Sequence, residues 1–335
     1  MRVNVFLSKF AKEYSGNIHY LFRMINRDLI RTKIVQLTYA YYQNGNKNLD
    51  NAEKELMFSL SKAYDLYKSL LSLVVSVHKE SQKRYEIEKT RAEREGTALP
   101  SDKFVNNRFA LQLSENIQLG QFISTQKYTW EDELEFVRKI CMQIEQSAIY
   151  KDYMSAEDAG YEDDRELWRK LYKALIVDND ELSLLLEEKS LYWNDDKEIV
   201  DTFVLKTIKK FDESKGEEQE LLPEYKELDD REFARKLFHA TIVNAEQYQG
   251  YMSEASRNWD FSRLAYMDIV IMQIAIAEMV NFPNIPVSVT INEYVNYAKT
   301  YSTPKSSGYI NGMLDAIARH LADTGKMFKS VNSIK

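Results

Sequence analysis

Apolar residues recur at intervals of three and four along most of the chain, which is the spacing that places them on one face of an α-helix. Such patterns cover residues 24–42, about 49–94 and 130–153, and a looser stretch over residues 101–126 interrupts them. We therefore predict an all-α fold in which amphipathic helices pack around a shared core.

The last third of the chain contains the most apolar helix and several boundary signals. Residues 263–280 are apolar almost all round, which predicts a buried central helix. Thr290 and Glu293 have the spacing of a capping box, so we expect a helix to begin there. In the final helix, Gly308 and Gly312 lie one turn apart, and each costs roughly 1 kcal/mol relative to Ala. We therefore expect another backbone or a ligand to approach them closely.

The chain contains an internal repeat. Residues 164–177 and 230–243 are identical at nine of fourteen positions with a displacement of 66 residues, and Trp193 and Trp259 recur at the same displacement. Repeats of this kind are typical of stacked helical units, so we predict a duplicated helix pair. Residues 211–229, rich in Glu and followed by the second copy, are expected to form a linker.

Composition narrows the class of protein further. The chain has 10 Gly and 5 Pro in 335 residues, well under the roughly 12% of an average sequence, which argues against turn-rich β folds. Its one cysteine, Cys141, excludes an internal disulfide framework and a multi-thiolate zinc site. The four histidines lack metal-ligand spacing. We expect neither a metal nor a cofactor.

We also expect no membrane contact. The most apolar window, residues 265–280, is shorter than the roughly 20 residues of a membrane span and contains charged residues. The N-terminus lacks the apolar core of a secretory signal, so we predict a cytoplasmic protein.

Charge is distributed unevenly along the chain. Residues 1–43 carry seven Lys and Arg against two acidic residues, a net charge of +5, whereas residues 150–232 carry 13 against 26, a net charge of −13. Two such blocks suggest separate surfaces with separate partners, although the acidic block could also serve only solubility. Arg23, Arg27 and Arg31 are spaced four residues apart and should line one helix face, either solvated or in contact with phosphates.

Residues 258–317 resemble the C-terminal half of the NusB family of transcription antitermination factors. The matching positions are Arg263-Leu264 with Asp268, residues 274–279 (IAIAEM), Ile285-Pro286, residues 291–293, Ala298-Lys299, and residues 309–314 (YINGML). Residues 27–43 resemble the first helix of the family, and residues 233–244 resemble the helix before the central one. The order and spacing of these motifs over about 60 continuous residues make the resemblance specific.

The resemblance implies a NusB-like helical bundle interrupted by a large helical insertion. We predict an N-terminal extension over residues 1–23, the first helix of the core over residues 24–44, the insertion over residues 45–226, the rest of the core over residues 227–320, and a tail over residues 321–335. Long forms of this kind are associated with Bacteroidetes-type bacteria. We expect residues 1–23 to be a misannotated start rather than an extra arm.

The resemblance also implies a function. NusB proteins pair with NusE, a small-subunit ribosomal protein, and bind the boxA element of nascent ribosomal RNA, and the complex helps RNA polymerase resist termination. The expected RNA-binding residues are Arg23, Arg27, Arg31, Lys305, Tyr309 and Asn311, and the expected NusE-facing residues are Asp268 and Glu278.

We expect Arg27, Arg31, Lys305 and Tyr309 to form one RNA surface. Cations hold the phosphates of single-stranded RNA, and aromatic rings stack on its bases. Asn311 could contact a base edge or tether the backbone.

Near Tyr309 the sequence departs from the family pattern at two positions. Gly308 stands where the family commonly has a Lys, and Lys305 stands where it has an acidic residue. On the partner side, Asp268 and Glu278 could instead pair internally with Arg263.

Two other functional classes stay open. Ribosomal RNA methyltransferases also carry NusB-like domains, but the sequence has no Gly-rich nucleotide motif and Cys141 lies in a helical pattern, so we do not expect an enzyme. A helical interaction scaffold that has lost RNA binding, with the insertion as its working part, is the second alternative.

Overall fold

The computed structural model of the protein describes residues 25–44, 47–157, 160–193, 195–225, 228–255, 264–303 and 305–327. Its α-helices are α1 (Arg27–Gln43), α2 (Leu49–Glu95), α3 (Arg108–Glu115), α4 (Ile117–Thr125), α5 (Leu134–Gln146), α6 (Ala148–Ser155), α7 (Tyr161–Leu175), α8 (Asp180–Lys189), α9 (Lys197–Lys210), α10 (Leu228–Val243), α11 (Ala245–Ala255), α12 (Tyr266–Asn281), α13 (Val287–Tyr301) and α14 (Ser306–Asp323). Short 3₁₀ turns cover Trp130–Glu133 and Glu213–Glu218.

The predicted all-α fold is confirmed, since the described residues contain helices and no strand. Among these same residues, no helix combines the length and the apolar character that a bilayer crossing requires. The pattern-based boundaries agree with the structure to within a few residues for α1 and α2. The predicted helix over residues 130–153 is divided, because Ser147 ends α5 and its hydroxyl caps the start of α6.

Five helices surround α12 and form a six-helix bundle with it. This helix packs against α1, α10, α11, α13 and α14, and 11 of its 16 residues are buried. The prediction of a buried central helix is therefore confirmed. An apolar helix surface on every side can be stable only where neighbouring helices cover every side.

The predicted capping box at Thr290 and Glu293 is wrong. Helix α13 begins at Val287, directly after Pro286, so Thr290 lies within the helix. Its hydroxyl donates to Oε1 of Glu278 on α12 at 2.8 Å. A buried carboxylate needs such donors, and this requirement accounts for the threonine better than a helix start does.

Helix α2 is common to the core and to the predicted insertion. With 47 residues it is about 70 Å long at 1.5 Å per residue. Near its start, Glu53 pairs with His239 of α10, and further along, the Tyr67 hydroxyl bonds the Thr207 hydroxyl of α9 at 2.7 Å. It ends at Gly96, whose φ of 65° provides the left-handed cap that glycine adopts without strain.

The segment predicted as a linker is held in place. The amide of Gln112 on α3 donates to the carbonyls of Asp212 and Gly216, each at 2.9 Å. Asn116 donates to the carbonyl of Gln219 at 2.7 Å. These bonds fix residues 212–219 against α3 and α4, so this part of the predicted linker is an ordered connection to α10.

A buried ion pair joins α1 to the segment predicted as the insertion. Nζ of Lys33 on α1 lies 2.8 Å from Oδ1 of Asp196, just before α9, and it also donates to the carbonyl of Tyr192. Burial raises the pKa of Asp196 to about 6, although Lys33 opposes the rise. Since a charge buried without its partner is costly, this pair ties α1 to the chain just before α9.

Candidate nucleic-acid interface

The start of α1 exposes one of the predicted RNA-binding arginines. The side chain of Asn26 accepts a hydrogen bond from the backbone N–H of Leu29 and caps the helix. Arg27 follows on the surface, with 45% of its side chain exposed. Its guanidinium lies 4.9 Å from the centroid of the Phe233 ring, and Nε lies 4.0 Å from Asp230. Arg27 therefore remains accessible to an anion.

Arg31 and Glu278 lie inside the bundle. Nε and Nη2 of Arg31 bond the two carboxylate oxygens of Glu278 at 2.7 and 3.0 Å. Thr290 and Tyr294 also donate to this carboxylate, at 2.8 and 3.2 Å. Burial opposes the charge on Arg31, but Glu278 more than offsets this and raises the pKa of the guanidinium. The pair is thus a satisfied polar network in the core.

These positions correct two expectations about the surface. Arg31 was expected to contact phosphates and Glu278 to face NusE, but the structure buries both side chains against each other. Internal pairing was the alternative for Glu278, although with Arg263, which lies outside the described residues. Arg23 lies outside them as well.

Asp268 is also internal. It is buried at the start of α12 and accepts hydrogen bonds from the hydroxyls of Ser302 and Ser306. These serines end α13 and begin α14, so the carboxylate fixes the turn between the two helices. The expected NusE-facing role of Asp268 does not fit this placement, because its oxygens already serve the turn.

The first turns of α14 present the other predicted RNA-binding residues. Lys305 and Asn311 are exposed, and Tyr309 is half-buried. Burial raises the pKa of Tyr309, and Asp268 adds to the rise. A half-buried aromatic ring one turn from an exposed cation is a suitable surface for an unpaired base and its phosphate. Asn311 lies two residues after Tyr309 and so points to another side of the helix.

Gly308 and Gly312 are exposed on the same helix. A Cβ atom built on either residue would meet no atom within 4 Å. The expected approach of another backbone from within the described chain is therefore wrong. The open space beside these glycines leaves room for a ligand, which was the other expectation.

The predicted single surface is divided in the structure. Arg27 contacts Phe233, whose ring packs on Phe282 directly after α12. At the opposite end of α12, Asp268 bonds Ser306 at the start of α14, next to Lys305. Ten helical residues separate the Asp268 and Glu278 carboxylates, which corresponds to about 15 Å at 1.5 Å per residue. Arg27 and the Lys305–Tyr309 region are therefore two sites along α12.

Exposed tyrosines near the start of α12 were not among the predicted residues. Tyr39 and Tyr266 are 36% and 41% exposed, with ring centroids 5.8 Å apart. Tyr42 packs on Tyr266 and accepts a hydrogen bond from Gln273 at 2.7 Å. The only sequence signal was the tyrosine-rich end of α1, because exposed and buried tyrosines look alike in a helical pattern.

The comparisons with known proteins agree with the helical core. The sequence model of the NusB family matches residues 199–319. This match begins inside α9, within the segment predicted as the insertion. No solved structure matches the chain.

Curated relatives match in the same way. The transcription antitermination protein NusB of Salinibacter ruber is 30% identical over 133 residues, covering 38% of this chain and 83% of the relative. NusB of Chloroherpeton thalassium is 37% identical over 100 residues (30% of this chain, 47% of the relative), and NusB of Natranaerobius thermophilus is 44% identical over 81 residues (24% and 58%). The chain thus spans about half the length of these last two relatives.

Proposed function

Because the chain belongs to the NusB family, we propose that it is a transcription antitermination factor that binds boxA-type single-stranded RNA together with NusE. In this function it would act within the RNA polymerase antitermination complex and support transcription of ribosomal RNA. The observation that carries the proposal is the surface of α14, where Lys305, Tyr309 and Asn311 are accessible within two turns.

Each of these side chains has a separate role in the proposed complex. Lys305 neutralises a phosphate, Tyr309 stacks on an unpaired base, and Asn311 offers an amide to a base edge. Arg27 contacts a second phosphate at the other end of α12. With Arg31 buried, two neutralised phosphates give a log–log salt slope of about −1.4, at roughly −0.7 per phosphate on a single strand.

For NusE, exposed aromatic side chains are better candidates than the buried carboxylates Asp268 and Glu278. Tyr39 and Tyr266 form an edge-to-face pair that is partly open to solvent. Exposed aromatic residues are enriched at protein interfaces, since they bury a large area with little loss of side-chain entropy. We place the NusE contact at this pair.

The test is an RNA titration of the full chain with and without NusE, using a boxA RNA and a scrambled RNA of the same composition. We expect NusE to increase the preference for boxA. Lys305→Glu and Tyr309→Ala should each weaken boxA binding about tenfold, since stacking on one base contributes about 1–3 kcal/mol. Lys299→Glu, an exposed lysine on α13, is the matched control and should change binding less than twofold.

A scaffold without RNA binding is the second candidate function. It is favoured by the internal pairing of Arg31 with Glu278 and by the use of Asp268 within the fold, since these residues then need no external partner. Equal affinity for boxA and scrambled RNA in the presence of NusE would support the scaffold and contradict the antitermination proposal.

A further inference from the structure

A turn between α8 and α9 carries the most exposed large apolar side chain among the described residues. This side chain is Leu191, which is 86% exposed. The carbonyl of Ser190 accepts a hydrogen bond from the backbone N–H of Trp193 at 3.0 Å, so Leu191 and Tyr192 occupy the two central positions of a tight turn. The turn therefore presents a leucine to solvent at its tip.

The turn is held on two neighbouring helices. The carbonyl of Tyr192 accepts a hydrogen bond from Nζ of Lys33 on α1 at 3.2 Å, and the Tyr192 hydroxyl donates to Glu55 on α2. The indole N–H of Trp193 donates to the carbonyl of Lys62 on α2 at 2.8 Å. The leucine at the tip is thus exposed on a fixed backbone. A group that is positioned before binding loses little entropy when a partner covers it.

Two aromatic rings extend the apolar surface beside Leu191. Phe58 on α2 is 47% exposed, and its ring centroid lies 5.3 Å from that of Tyr192 in an edge-to-face arrangement. The cation next to Phe58 is already paired, since Nζ of Lys62 lies 2.9 Å from Asp65. We name Phe58, Leu191 and Tyr192 the turn patch. A cluster of exposed aromatic and aliphatic side chains is typical of a protein contact, whereas a single exposed leucine would have no such meaning.

The turn patch lies next to the tyrosine pair that we propose as the NusE contact. Asp195, four residues after Leu191, accepts a hydrogen bond from the side-chain amide of Gln36 on α1 at 2.9 Å. Tyr39 follows Gln36 by three residues on the same side of α1, which corresponds to about 5–6 Å between their Cβ atoms. The ring of Tyr39 packs on Tyr266. One surface therefore extends from the turn across α1 to the start of α12.

The charges around the turn favour a basic partner. Residues 187–198 contain two lysines, and both are paired: Lys189 with Glu133 and Lys197 with Asp201, each at 2.8 Å. The exposed charged side chains of this range are all acidic, namely Glu187, Glu188, Asp195 and Glu198. Exposed carboxylates repel RNA phosphates and the same face of a second copy, and they attract the cations of a basic protein.

A ribosomal protein has the required chemistry. It binds ribosomal RNA and therefore presents lysine and arginine side chains to phosphates. The contact proposed for NusE also needs more surface than the tyrosine pair offers. Tyr39 and Tyr266 are each less than half exposed, whereas a standard interface buries about 800 Å² on each partner. The turn patch enlarges the available surface with apolar side chains.

We propose that the turn patch, with Asp195 at its edge, is a second part of the NusE contact and receives a basic segment of NusE that carries an apolar side chain. The segment predicted as the insertion then takes part directly in binding the partner. This inference rests on the proposed function, because it takes NusE as the partner. It deepens that function with residues that lie outside the range 199–319 matched by the family model.

The test measures the affinity of the full chain for purified NusE, without RNA, by isothermal titration calorimetry. Leu191→Ser should lower this affinity about tenfold, which corresponds to about 1.4 kcal/mol of binding free energy. Ile87→Ser is the matched control, because Ile87 is 69% exposed near the far end of α2. It should change the affinity less than about twofold, since it removes an exposed apolar side chain far from the turn.

A second pair of variants tests the charge of the surface. Asp195→Lys should lower the NusE affinity about tenfold at low KCl concentration and less at high concentration, because salt screens the attraction of the carboxylates for a basic partner. Glu93→Lys makes the same charge change at an exposed position of α2 and should have little effect. Circular dichroism checks that every variant keeps the wild-type helix content and melting temperature. Equal losses in Asp195→Lys and Glu93→Lys, or no loss in Leu191→Ser, would overturn the proposal.

Two further measurements identify other occupants. Sedimentation equilibrium reports self-association, and a dimer that Leu191→Ser dissociates would assign the turn patch to a second copy of the chain. Titration with labelled oligouridine reports RNA binding, and a larger loss of RNA affinity than of NusE affinity in Leu191→Ser would assign the patch to RNA. Either result contradicts the NusE assignment.

The outcomes also separate this inference from the proposed function. If NusE increases the preference for boxA and Leu191→Ser binds NusE as the wild type does, the proposed function stands and the turn patch fails. If Leu191→Ser loses NusE affinity while boxA and scrambled RNA bind equally, the turn patch stands and the antitermination proposal fails. Absence of NusE binding to the wild-type chain overturns both.

Discussion

At the scale of single residues, charge is used in two different ways. Arg27 and Lys305 are exposed, whereas Arg31, Lys33 and Asp268 are buried with partners. A buried charge is tolerated only when hydrogen bonds replace its water shell. Glu278 meets this condition with bonds from Arg31, Thr290 and Tyr294, and so three helices meet at one carboxylate.

Arg31→Met should lower the free energy of unfolding by about 3–5 kcal/mol, because it leaves Glu278 buried without its cation. Urea denaturation measures this change. Arg319→Met is the control, since its pair with Asp315 is exposed and should contribute less than about 1 kcal/mol. A cost below 1 kcal/mol for Arg31→Met would show that the pair does not stabilise the core.

At the scale of helices, α14 has both an anchored side and an open side. Ile310, Leu314 and Ile317 are fully buried against the bundle. The opposite side carries Gly308 and Gly312, which weaken the helix without improving any contact within the described chain. A helix that keeps such residues at its surface has room for close approach by a partner.

Gly308→Ala and Gly312→Ala should each stabilise the protein by about 0.5–1 kcal/mol, since both glycines are helical and a methyl group meets no atom. We expect the same variants to weaken boxA binding, because the methyl groups occupy the open surface. Thermal melting and RNA titration measure the two effects. Gly96→Ala is the contrasting control and should destabilise, because its φ is 65°. Unchanged RNA affinity in both variants would contradict the prediction that Gly308 and Gly312 belong to the RNA-binding surface.

At the scale of the whole molecule, the segment predicted as the insertion, residues 45–226, packs directly on core helices. Helix α2 packs on α1 and α10 and also on α5 and α9. The buried pair of Lys33 and Asp196 joins the two parts a second time. Movement of the insertion therefore requires the loss of core contacts.

Lys33→Met should destabilise the protein more at pH 8 than at pH 5. The pKa of Asp196 is already raised to about 6, and removal of Lys33 raises it further. In the Lys33→Met variant, folded Asp196 then holds a proton that the unfolded state releases. The free energy of unfolding is therefore highest at low pH and falls as the pH rises through the folded-state pKa of Asp196. The expected loss is about 1.4 kcal/mol for each pH unit in which the proton numbers differ by one.

Urea denaturation at the two pH values measures this difference, and tryptophan fluorescence from Trp130, Trp168 and Trp193 reports on the insertion. Lys299→Met, an exposed lysine on α13, should show no such pH dependence. An equal cost of Lys33→Met at both pH values would contradict the prediction.

The sequence by itself determined the helical class, the buried central helix and the family, because helix periodicity and ordered motifs are local properties of the chain. It also placed Lys305 and Asn311 at accessible positions of the final helix. Local patterns could not give every helix boundary. The predicted start at Thr290 is an example, because the Thr290 hydroxyl donates to the Glu278 carboxylate on α12, twelve residues away.

Only the tertiary structure decided which charges are available for binding. Arg27 and Arg31 lie one turn apart and look equivalent in sequence, yet one is exposed and the other bonds Glu278 across 247 residues. Whether a cation faces solvent or a carboxylate depends on helices that are distant in sequence, and no local pattern records them.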